Sequence, residues 1–102
     1  MTKVPKSFTL GPYRIAVKVL PEDKLNERAG LAVYGLWVPG ELTIYLRAPS
    51  ETHREELFLG TFWHEYFHAL YWTLGRTDEC NDEVLVDQCG ALTMQAIQTA
   101  KF

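Results

Sequence analysis

ETHREELFLGTFWHEYFHALYWTLG, residues 51–75, is a helical, aromatic-rich stretch with two histidines one turn apart near its centre. Ser50 suits an N-cap. Glu51, Glu55 and Glu56 set negative charge towards the positive helix start. The spacing predicts a helix over 51–74, with Gly75 just past its end. Gly60 lies inside it, where a glycine allows a kink or the close approach of a neighbour.

Within this helix, His64-Glu65-Tyr66-Phe67-His68 is an HExxH pattern that uses two of the three histidines in the chain. Residues four apart share a helix face, with Cβ atoms about 5–6 Å apart. Two imidazoles so placed can both reach one zinc ion at about 2.0–2.1 Å. Glu65 is rotated about 100° from the first of them. It falls beside the metal without binding it, where a base for an activated water must sit.

A catalytic zinc needs a third protein ligand and one open position. The downstream candidates are Asp78, Glu79, Cys80, Asp82, Glu83, Asp87 and Cys89. A loop over 77–80 is expected, then a second helix from Asp82 to about Thr99, capped by Asn81. On it Glu83 and Asp87 share a face, continued by the small Gly90 and Ala91, which would let the two helices pack closely. Glu83 is therefore the expected ligand. Asp87 is the expected carboxylate behind a ligating histidine, accepting from its far nitrogen. Asp82 and Glu79 are the fallbacks.

A closed structural site of His64, His68, Cys80 and Cys89 is the other metal reading. It lacks a tight cysteine pair and gives Glu65 no role. For the donor that would stabilise an oxyanion, Tyr71, Tyr45, Arg76 and His53 are candidates that the sequence does not separate. His53, near the start of the helix, is expected to be solvated.

Upstream the chain reads as strands. In residues 13–20, Tyr13, Ile15, Val17 and Val19 alternate with Arg14, Ala16 and Lys18. Further strands are expected over 32–38 and 42–47. Val38-Pro39-Gly40-Glu41 between them has the chemistry of a type II turn, with positive φ at Gly40, and makes the pair a hairpin. Residues 25–30 read as a loop or a single helical turn. The whole is an α+β fold, a small N-terminal antiparallel or mixed sheet followed by two packed helices. At 102 residues it forms one domain, 1–102.

The formal net charge of -3, with scattered Lys and Arg, excludes the basic footprint of a nucleic-acid binder. No apolar run approaches the roughly 18 residues of a membrane span, and residues 1–10 lack the apolar core of a signal peptide. Two cysteines make no disulfide framework, so a cytoplasmic, reducing setting is expected.

His64-Glu65-Tyr66-Phe67-His68 followed by Glu83-Val84-Leu85-Val86-Asp87 resembles the HExxH plus ExxxD signature of the gluzincin metallopeptidases. That resemblance implies zinc held by His64, His68 and Glu83, with Asp87 supporting a histidine and Glu65 as general base. It implies hydrolysis of a peptide or protein substrate. The hairpin, the helix and the His-Glu-Tyr-Phe-His-Ala-Leu core also resemble small HExxH proteins of phages and prophages, and more distantly ImmA/IrrE-like peptidases. For a phage-encoded chain the setting would be the bacterial host's cytoplasm. One departure is that only 14 residues separate His68 from Glu83, where the larger families insert more. The alternative is a zincin-shaped binding or regulatory protein that does no chemistry. A peptide would lie extended along residues 42–46, provided that strand is an edge.

Overall fold

Side-chain alternation along Tyr13–Leu20 forms the longest strand of a four-stranded mixed sheet. The computed structural model describes residues 4–102. The elements are β1 (Ser7–Leu10), β2 (Tyr13–Leu20), α1 (Glu22–Ala29), β3 (Gly35–Val38), β4 (Thr43–Arg47), α2 (Glu55–Thr73), α3 (Thr77–Cys80) and α4 (Glu83–Thr99). The fold is α+β, a small sheet followed by two long packed helices.

The sheet order is β1-β2-β4-β3. β2 and β4 pair in parallel, Val17 opposite Ile44 and Val19 opposite Leu46. A parallel pair needs a crossover, and α1 with β3 supplies it. Leu42–Leu46 is therefore not an edge, contrary to the placement of a peptide along it. β4 is interior and β3 is the edge beside the helices. Ile15, Val17, Ile44 and Leu46 join Phe58, Phe62 and Ala69 of α2 in the core.

Several local expectations are corrected. Residues 22–29 form a full helix whose Leu25 is buried, closed by Gly30 at φ 77. β1 precedes the first expected strand, and Gly11, at φ 56, makes the tight turn into β2 that a glycine permits. The β3–β4 hairpin exists, but its loop is a 3-10 turn over Pro39–Glu41. The left-handed residue there is Leu42, at φ 50, and not Gly40. Four residues lie between the paired Val38 and Thr43, and loops of that length favour a type I turn over type II. α2 begins at Glu55, not at residue 51. Ser50 instead closes a tight turn, its Oγ accepting from the His53 N–H at 3.1 Å. α4 is capped by Asp82, which accepts from the Leu85 N–H at 3.0 Å, and not by Asn81. Gly75, at φ 72, stands just past α2 as expected.

α2 presents two faces. Phe58, Phe62, Glu65 and Ala69 are its buried residues, at the spacing of one stripe against the sheet. The adjoining face meets α4, its most extensive neighbour. At that crossing a Cβ on Gly90 would lie 2.9 Å from the His64 backbone nitrogen. Only a residue without a side chain permits that approach.

Candidate metal and catalytic site

His64 and His68 project from one face of α2 towards the start of α4, and their Nε2 atoms lie 3.3 Å apart. Glu83 closes the group, with Oε2 at 2.9 Å from His64 Nε2 and Oε1 at 3.1 Å from His68 Nε2. These three form the cluster of metal-capable side chains found among the described residues. Tetrahedral ligands at about 2.0–2.1 Å from zinc stand roughly 3.3–3.4 Å from one another, close to what is observed.

The far nitrogens of both rings are also engaged. His64 Nδ1 lies 3.3 Å from Asp87 Oδ1, and His68 Nδ1 lies 2.6 Å from the Cys80 carbonyl oxygen. Both of those partners accept, so each neutral ring carries its hydrogen on Nδ1. Each Nε2 is then a bare lone pair. Two such lone pairs and a carboxylate converge on one point with no donor among them. A set of acceptors so placed is suited to a cation, and two imidazoles with one carboxylate suit zinc. Glu83 is 69% exposed on its side chain, so the group opens to solvent and has room for a further oxygen ligand.

Glu65 occupies the apolar stripe of α2, and only 7% of it is exposed. Burial raises its pKa to about 7. The His64 side chain opposes the rise, Glu83 adds to it, and a hydrogen bond from the Trp37 backbone N–H opposes it again. This last contact brings in β3. Arg47 N–H donates to the Tyr34 carbonyl at 2.9 Å, so by antiparallel alternation Gly35 and Trp37 turn their backbone groups to the open edge. A Cβ on Gly35 would lie 2.6 Å from Thr61 Cγ2 and 3.0 Å from Glu65 Cγ. Gly35 lets the edge strand come against Glu65.

A cleft of about 1180 Å³ runs between β3 and the two long helices, with His64, Glu65, His68 and Glu83 in its wall. Tyr34 and Trp37 from the sheet side, Leu57, Gly60 and Trp72 of α2 and Met94 of α4 also line it.

The structure thus brings His64, Glu65, His68, Glu83 and Asp87 together. The fallback ligands are used elsewhere, Asp82 as a helix cap and Glu79 in an ion pair with Arg76 at 2.7 Å. The closed four-residue site is not assembled. Cys80 Sγ donates to the His68 carbonyl at 3.2 Å, and Cys89 Sγ faces the Tyr71 hydroxyl at 3.6 Å. None of the four oxyanion candidates borders the cleft. Tyr71 is turned to Cys89, Tyr45 to Glu41, and Arg76 to Glu79. His53, expected in solvent, is buried at 1% exposure. Two partners escaped the sequence reading, the Cys80 carbonyl and the β3 edge. Gly35 inside a strand pattern was a signal for the second, since such a glycine often marks close backbone approach.

Comparison with protein-family models, curated proteins and solved structures finds no match. The site therefore rests on its own geometry. Replacing Asp87 by asparagine, which weakens the acceptor behind His64, is expected to lower zinc affinity about 10–100-fold, as read by competition with a chromogenic chelator.

Proposed function

We propose that this chain is a zinc-dependent peptide-bond hydrolase of the gluzincin type, with His64, His68 and Glu83 as the metal ligands and Glu65 as general base. The observation that carries this is the convergence of two imidazole lone pairs and a carboxylate on one point, beside a buried glutamate poised near neutrality. Zinc in that position would polarise a carbonyl and lower the pKa of a water. The chain's own groups do the rest. Asp87 and the Cys80 carbonyl orient the rings. Glu65, desolvated beside the site, takes a proton from the attacking water and returns it to the leaving amine.

The substrate is a peptide or an unfolded protein segment that adds as a strand to β3, using the outward backbone of Gly35 and the Trp37 carbonyl, since the Trp37 N–H is held by Glu65. A peptide aligned antiparallel on that edge crosses the cleft beside Glu65. Neither nucleic acid nor a membrane is a partner in this reading. Among the described residues no helix is long and apolar enough to cross a membrane, and both cysteines are free, which supports a reducing, cytoplasmic setting. The alternative of a zincin-shaped binder without chemistry leaves the buried Glu65 carboxylate without a use.

The test is incubation with mixed unfolded substrates, together with elemental analysis. Cleavage is expected with zinc, is stopped by a chelator and returns on adding zinc back. Protein that holds no zinc at saturating metal would overturn the reading.

A further inference from the structure

We propose that His53 is a proton-operated latch on the cleft wall: the neutral ring holds Tyr34 in place, and its protonation frees residues 48–54 and loosens the wall at Val33 and Tyr34. The inference does not depend on the catalytic reading, because none of its residues belongs to the metal group.

His53 is 1% exposed, yet neither ring nitrogen has a hydrogen-bond partner. Buried polar groups are almost always paired, and a phenylalanine would fill this space without an orphaned nitrogen. The imidazole stacks on Tyr34, ring centres 5.0 Å apart at 8°, and meets Phe58 of α2 edge-on at 6.4 Å. Tyr34 in turn is 54% exposed and borders the cleft. A tight turn tucks the ring inside, with Ser50 N–H donating to the His53 carbonyl at 2.8 Å and His53 N–H to Ser50 Oγ at 3.1 Å.

The charged groups that act on the ring come from two elements. Arg47 of β4 lies over the Tyr34 ring at 4.5 Å and donates to the Val33 carbonyl at 2.6 Å, so its guanidinium is fixed close by. Glu22 of α1 pairs with Arg47 at 3.4 Å and is mostly exposed. α2 sets Phe58 edge-on against the ring, and the 31–34 segment stacks Tyr34 on it. A second positive charge beside a fixed guanidinium, without a partner for its N–H groups, is unstable in place. Burial and the Arg47 charge hold the His53 pKa below the ordinary 6.5, with Glu22 opposing weakly. The ring is therefore neutral near pH 7. As the pH falls below 6.5, a released segment takes up the proton before the docked one does, so docking weakens in acid.

The experiment is amide hydrogen exchange on the full chain at about pH 7.5 and about pH 5, corrected for intrinsic exchange. Protection of the Ser50 and His53 amides is expected to fall at least about tenfold in acid, relative to the Leu46 amide of β4. His53→Phe is expected to keep protection at both pH values. Because the Phe variant retains His64 and His68, an equal loss there would assign the effect to those residues and overturn the latch. No acid loss in the native chain would also overturn it. Should the variant fail to fold, the native ring proton spectrum decides. A His53 midpoint below 6.5 with a concerted shift of the Tyr34 ring supports the latch, and an ordinary midpoint or an unmoved Tyr34 refutes it.

Discussion

Glu65→Gln is expected to lower peptide turnover about 10²–10⁴-fold, the range a positioned general base supplies, while zinc content stays unchanged. Glutamine has nearly the same shape, can accept the Trp37 N–H and cannot take a proton from water. The variant should also be more stable than the parent once zinc is stripped. A folded-state pKa raised from 4.5 to about 7 means that the folded chain holds this proton more tightly than the unfolded chain. Stability from that source is full below pH 4.5 and is lost as pH rises through 7. Above pH 7 the metal-free parent bears a buried charge costing about 3 kcal/mol. Glutamine removes that cost, so the unfolding midpoint of the stripped variant should rise in mildly alkaline buffer, with little gain near pH 4. Bound zinc should shrink the difference, because a cation nearby stabilises the carboxylate. Steady-state kinetics, elemental analysis and urea unfolding across pH check the three parts. Turnover equal to the parent's would reject Glu65 as the base. A stability change flat with pH would reject the account of its burial.

Much of the site was legible because it is local on two helices. The spacing of His64, Glu65 and His68 fixes their directions once the helix exists, and Glu83, Asp87 and Gly90 follow the same rule on the second. The crossing of those helices was readable from Gly90, since a residue without a side chain invites close packing. The sheet was less legible. Which strand becomes an edge depends on a non-local choice, the parallel pairing of β2 with β4, and alternation within either strand is silent about it. Ser50 misled for a related reason. Its capping chemistry is real, but it serves the turn that buries His53 instead of the helix start. The fate of His53 was set by Tyr34 and Phe58 meeting it from two other segments.

Gly90→Ala should be damaging, although alanine is the better helix former. A glycine inside a helix ordinarily costs up to about 1 kcal/mol relative to alanine, so the change alone would be expected to stabilise. Here the new Cβ would lie 2.9 Å from the His64 nitrogen and 3.0 Å from the Trp63 carbonyl carbon. Both are backbone atoms of a packed helix and cannot rotate aside. α4 must therefore move off α2, at a cost of about 1–3 kcal/mol for overpacking. Glu83 and Asp87 lie on the same face of α4, so they withdraw from the histidines together. Zinc affinity is expected to fall at least about 10–100-fold, and the stabilisation that bound zinc gives should fall with it. Gly60→Ala is the control, because its nearest neighbours, Met94 Sδ and Cε, stand at 3.9 and 4.0 Å. That variant should bind zinc as the parent does and melt at the same temperature or slightly higher. Chelator competition and thermal unfolding with and without zinc would measure both. Equal behaviour of the two variants would mean that the close crossing of α2 and α4 does not hold the acceptors together.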